Sequence, residues 1–94
     1  MNREERRLAV NFGLLIYGLG YNVTDIVGPI MVDGERGLWA AFEIDEAPND
    51  LNHFEAELNA TLVDHGFYIT NIVQDERVAP VYMFCQVIFL HRNR

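Results

Sequence analysis

An eight-residue stretch occurs twice in this chain, and that repeat constrains the fold more than any other feature. Gly20-Tyr21-Asn22-Val23-Thr24-Asp25-Ile26-Val27 aligns with Gly66-Phe67-Tyr68-Ile69-Thr70-Asn71-Ile72-Val73 at an offset of 46 residues. Four positions are identical, three exchange close substitutes, and only Asn22/Tyr68 differs in kind. Carried backwards, the same offset pairs Leu8 with Phe54, Phe12 with Leu58 and Ile16 with Leu62. Those are apolar positions at helical spacing. A helix–glycine–strand junction that recurs in this way reads as two copies of one unit.

Each copy reads α-β-β. In the first, Leu8, Phe12, Leu15, Ile16 and Leu19 form a helical stripe behind Asn2-Arg3-Glu4-Glu5, which has capping-box spacing. Gly20 stands where a left-handed residue ends a helix. Tyr21 to Asp33 reads as a strand interrupted at Gly28-Pro29. Proline has no ladder donor, so the strand belongs at a sheet edge or carries a bulge. Asp33 to Gly37 reads as a turn, and Leu38 to Ile44 as the returning strand.

In the second copy, Pro48-Asn49-Asp50 opens a helix with the stripe Leu51, Phe54, Leu58 and Leu62, and Gly66 stops it. Phe67 to Gln74 is a third strand, Asp75 to Pro80 a loop, and Val81 to Leu90 a fourth strand. The expected fold is α+β: a duplicated αββ unit, αββαββ, forming a four-stranded antiparallel sheet with two helices packed on one face. The pseudo-repeats run about 2–45 and 49–91 within one domain spanning 1–94. Two copies share one core, because a lone αββ unit buries too little.

Charge divides along the chain as clearly as the repeat does. Its seven basic residues are all arginine, against fourteen acids, for a net −7. Arg3, Arg6, Arg7, Arg92 and Arg94 lie near the termini, while residues 8–91 hold Arg36 and Arg77 against twelve acids. An acidic body disfavours phosphate backbones, whose affinity for proteins rests on cations displacing counterions. Neither direct nucleic-acid binding nor a membrane association is expected. Cys85 is alone in an apolar run, so a reducing, cytoplasmic setting is expected, with no disulfide framework and an inert buried thiol. No secretory leader or spanning run is read, and the sequons at Asn22 and Asn59 are read as chance matches.

Side-chain alternation separates the two faces of the sheet. Leu38, Ala40, Phe42 and Ile44, with Met83, Cys85, Val87 and Phe89, suit the helix-covered side. Trp39, Tyr68, Ile72, Tyr82, Phe84, Ile88 and Leu90 then face away from the helices. A two-layer domain ordinarily carries polar residues there. Unless a loop covers it, an apolar patch rich in aromatics is the composition of a protein interface. The acids Glu43, Asp45, Glu46, Glu55, Glu57, Asp75 and Glu76 are the residues expected to meet a partner's basic groove.

Chemistry is harder to find. His53 and Glu57, four apart on a helix, make half a metal site at most, so no metal and no cofactor are expected. Asp64-His65 precedes a helix stop, where histidine is favoured by the macrodipole. The chain contains no serine, which removes a serine nucleophile. Asp25 and Asn71, at matching repeat positions, have core-facing parity if their strands are regular. They are the alternative site, a small-molecule pocket near the pseudo-twofold axis.

Two family resemblances attach to these residues. Phe12-Gly13-Leu14-Leu15-Ile16-Tyr17-Gly18-Leu19-Gly20, followed by two strands, resembles the helix of LAGLIDADG homing endonucleases, whose domain is also a duplicated αββ unit. Leu19 stands where that family has its metal-binding acid, so the resemblance implies the fold and not nuclease activity. Leu19-Gly20-Tyr21-Asn22-Val23-Thr24-Asp25, in an acidic αββ setting, resembles the ribonuclease E inhibitor B family. That resemblance implies an acidic inhibitor of an RNA-processing enzyme.

The expected function is a non-enzymatic protein-binding regulator or inhibitor that forms a homodimer. Its expected role is that of a phage-encoded, anti-CRISPR-like protein acting on a nucleic-acid-handling complex.

Overall fold

The computed structural model describes residues 2–75 and 80–90. Its elements are α1 (Arg3–Gly18), β1 (Asn22–Val32), β2 (Glu35–Ile44), α2 (Leu51–Leu62) with a short 3-10 turn (Val63–His65), β3 (Phe67–Asp75) and β4 (Val81–Phe89). The strands form one antiparallel sheet in the order β1-β2-β4-β3, with both helices against it. This is the α+β fold that the repeat predicts, with the last strands of the two halves paired at the centre and the first strands at the edges.

Local chemistry places the helices. The Asn2 side chain accepts the Glu5 N–H at 2.8 Å, and the Glu5 carboxylate accepts the Asn2 N–H in return. Orphan donors at the start of α1 are satisfied by this capping box. Asp50 caps α2 by accepting the His53 N–H at 3.2 Å. Gly20 (φ 96°) and Gly66 (φ 91°), the glycines of the repeat, both adopt the left-handed conformation as the chain turns into a strand. Phe12 and Ile16 from α1, and Leu58 and Leu62 from α2, bury against Leu38, Ala40, Phe42, Met83, Cys85 and Val87 of the central strands.

Strand details depart from the expected ones at two places, the first hairpin turn and the register near the two repeated threonines, and agree at Gly28-Pro29. The first hairpin turn is only Asp33-Gly34, and β2 begins at Glu35 rather than Leu38. Both turn residues have positive φ (51° and 82°), the pair that closes a two-residue hairpin with the right twist. Gly28-Pro29, joined by a cis peptide, falls in a register shift of edge strand β1, as the missing proline donor requires. The second departure has the larger consequence. Register shifts between Val23 and Asp25 and between Ile69 and Asn71 make Thr24 and Thr70 extra residues in their strands.

Each bulge reverses the alternation beyond it. Ile72, expected on the outer face, packs in the core at 8% exposure. Asp25 and Asn71, expected to face the core, are exposed. The two bulges are also equivalents. Thr24 donates its hydroxyl to the Ala41 carbonyl (3.2 Å), and Thr70 donates to the Gln86 carbonyl (3.4 Å). The halves thus repeat in strand register as well as in sequence.

Candidate protein interface

The face of the sheet opposite the helices can be laid out from the strand register. Two central rows cross all four strands: Val27–Trp39–Gln86–Asn71 and Asp25–Ala41–Phe84–Val73. The pseudo-twofold relation of the sheet exchanges these rows, placing Asp25 on Asn71 at the offset of 46 and Trp39 on Phe84 at an offset of 45 in the central strands. One flanking row is apolar, Ile30–Gly37–Ile88–Tyr68. The other is acidic and polar around one ring, Asn22–Glu43–Tyr82–Asp75. The face therefore has a symmetric middle and two unlike ends.

The aromatic side chains of the face lie against one another. Trp39 stacks on Phe84 at 5.7 Å between ring centroids, and Phe84 stacks on Tyr82 at 6.3 Å. All three are half-buried, as is Ile88. At the margins Tyr68, Val27 and Val73 are 42%, 48% and 52% exposed. The core-facing contacts of both helices belong to the opposite side of the sheet. Among the described residues, Trp39, Tyr68, Tyr82, Phe84 and Ile88 share the face opposite the helices, as their alternation predicts.

The acids expected at the interface do not gather there. Glu43, accepting a hydrogen bond from Asn22, borders the rings, and Asp75 shares its row. Asp45 and Glu46 lie in the β2–α2 loop, while Glu55 and Glu57 ride on α2, in the other layer. Glu76 lies outside the described residues. Asp25 and Asn71 sit on opposite edge strands and in different rows, separated by three strand spacings, roughly 14 Å, across the sheet alone. They do not converge on a pocket at the pseudo-twofold axis, because the two threonine bulges turn both residues outward.

Other candidate chemistry is accounted for structurally. His53 pairs with Glu57 on the exposed surface of α2. Among the described residues no group of three or more His, Cys, Asp or Glu side chains is placed to hold a metal. Burial pushes the Cys85 thiol up to about 12, so the thiolate is not formed near neutrality. Arg36, one of the two cations in the acidic body, forks onto the buried Glu5 carboxylate from the tip of the first hairpin. That pairing pulls Glu5 down to about 2.

A second apolar surface was not anticipated. Val10, Leu14 and Tyr17 form a stripe along α1 that is 61%, 63% and 71% exposed. Their spacing of four and three was legible in the sequence, but the richer stripe of Leu8, Phe12 and Ile16 dominates that helix. No described helix is long and apolar enough to cross a membrane. No family model, curated protein or solved structure matches the chain, so neither resemblance noted in its sequence extends to a family match.

Proposed function

We propose that this is a non-enzymatic binding protein that captures another protein through its open sheet face and blocks that partner's basic surface. The observation that carries the reading is the Trp39–Phe84–Tyr82 ladder, half-buried on the face opposite the helices and bordered at one end by Glu43. Stacked aromatics supply a rigid anchor of low conformational entropy, and a charged rim supplies orientation. A partner with an apolar patch beside a basic one fits this face. Nucleic-acid-handling proteins present such basic surfaces, and an acidic protein seated there would act as an inhibitor.

The unlike ends of the face favour a different protein over a second copy. A twofold axis along the strands brings the Glu43 ends of both copies together. An axis across the strands lays Glu43 against the apolar row of Ile88 and Tyr68. Either arrangement desolvates the Glu43 carboxylate with no cation among the described residues of the face to meet it, which is unfavourable. The homodimer expected from the sequence is therefore the competing occupant of this face.

Affinity capture from host extract with tagged protein tests the reading. The folded Trp39→Ala/Phe84→Ser variant is expected to lose the partner, and the wild-type complex to weaken as salt rises. Leu14→Gln on α1 is expected to retain it. Loss of the partner in Leu14→Gln alone would move the interface to the helix layer. A wild-type mass that doubles, and halves again in Phe84→Ser, would assign the face to a second copy.

A further inference from the structure

We infer that a groove on the helix side, between the end of α1, the β2–α2 loop and α2, is a docking site for an arginine-bearing peptide segment of another protein. Two adjoining hollows share Tyr21 and Phe54 as their common wall. The larger, about 400 Å³, also touches Gly20, Asp45, Glu46 and Pro48. Glu57 and Leu19 line the smaller, about 180 Å³. The larger volume falls within the range of roughly 300–1,000 Å³ found for ligand sites.

Tyr21 is held in place from behind. Its ring stacks on Phe42 of the core at 5.6 Å and 22°, and meets Phe54 at 5.8 Å and 52°. Both rings stay partly exposed, so aromatic surface remains open to the groove. A cation over such a ring is attracted by its quadrupole.

The charge around the rings is of one sign. Asp45, Glu46 and Glu57 contribute carboxylates, and no lining residue of either hollow is a cation. Glu57 already meets His53, whereas Asp45 and Glu46 are exposed and make no hydrogen bond or ion pair among the described residues. The C-terminal end of α1 reaches the groove at Leu19 and Gly20, and no basic residue occupies its last turn. The negative end of the helix dipole therefore adds to the carboxylates. A planar guanidinium satisfies both features, stacking on a ring and forking onto a carboxylate. This inference does not rest on the open sheet face, which lies across the sheet from the groove.

The test is a titration of isotopically labelled full-length protein with acetyl-Gly-Arg-Gly-Arg-Gly-amide, followed by amide chemical shifts. Saturable shifts are expected at Gly20, Tyr21, Asp45 and Glu46, with binding weakened at least about fivefold in Asp45→Asn/Glu46→Gln, equivalent to about 1 kcal/mol. Phe54→Leu is expected to weaken it similarly. Should that variant fail to fold, the loop double variant decides, since both its residues are exposed. Substituting citrulline for both arginines is expected to abolish saturation. Equal binding of the citrulline peptide, or unchanged binding in the folded loop variant, would overturn the inference. Loss of binding in Trp39→Ala/Phe84→Ser would also overturn it, by placing the peptide on the sheet face. Retention there, with partner capture lost, separates this site from the proposed function.

Discussion

Two polar residues carry more of this fold than their exposure to sequence reasoning suggests. Glu5 is 5% exposed, caps its own helix and receives the Arg36 guanidinium, with Nη2 at 2.8 Å. The pair ties α1 to the tip of the first hairpin, a contact 31 residues apart that no local pattern reveals. Because the folded-state carboxyl is lowered to about 2 from an ordinary value near 4.5, its contribution is fully present above about pH 4.5. It is lost as pH falls through about 2. Glu5→Gln is therefore expected to lower the urea midpoint at pH 7. The gap to wild type should close between pH 4.5 and 2; a gap independent of pH would contradict the pairing.

Asn59 is the second such residue. Its amide donates to the Ile69 carbonyl at 3.0 Å and accepts the Ile69 N–H at 2.7 Å, so it pairs backbone groups of edge strand β3. The side chain is buried, which disqualifies the sequon read at this position on physical grounds. Asn59→Ala leaves those groups unsatisfied and is expected to cost about 2 kcal/mol in denaturant unfolding. A loss within error of zero would show that water replaces the amide freely. The repeat places Gly13 at the matching position of α1, where the Ile26 side chain comes within 3.3 Å of an added Cβ. Thus one copy staples its edge strand with an amide while the other packs its helix close.

Among the elements, those with strong periodicity are legible in the sequence, and those where one residue resets it are not. Both helices, their caps and all four strands were legible from apolar spacing, Asn2, Asp50 and the repeated glycines. The Thr24 and Thr70 bulges were not, since an extra residue in a strand leaves no signature beyond the broken alternation it causes. That single omission put Ile72 on the wrong face and turned Asp25 and Asn71 into candidates for a pocket. The hairpin Asp33-Gly34 was placed inside a longer turn because Arg36 and Gly37 look like turn residues. In the fold Gly37 is a strand residue pressed onto β4, where an added Cβ would lie 1.9 Å from the Val87 carbonyl oxygen. Gly37→Ala is expected to destabilise by at least about 2 kcal/mol through displacement of β2 from β4. An unfolding midpoint equal to that of wild type would show that the two central strands are not held this closely.

At the scale of the whole molecule, the repeat builds a symmetric core and an asymmetric surface. Positions facing the helices are apolar in both halves except near the strand ends, where Arg36 and Gln74 stand. On the open side Tyr68 stands against Asn22, Ile88 against Glu43 and Tyr82 against Gly37. Such divergence on one face gives that face a direction, which a partner of different sequence can read. The candidate residues of the sheet were legible as a group because alternation along β2 and β4 is unbroken. Their separation from Asp45, Glu46, Glu55 and Glu57 was not, since charge counted along a chain says nothing about which layer carries it.

Trp39 is the single tryptophan and stands at one end of the aromatic ladder, so its fluorescence in the free chain reports on this face. Acrylamide quenching of Trp39, incorporated as 5-hydroxytryptophan and excited beyond the absorption of ordinary tryptophan, in the free chain over a dilution series and then in the captured complex, tests the central claim most directly. The account predicts quenching that is independent of protein concentration in the free chain and that falls when the partner binds. Quenching that rises on dilution, or that is unchanged in the complex, would contradict it.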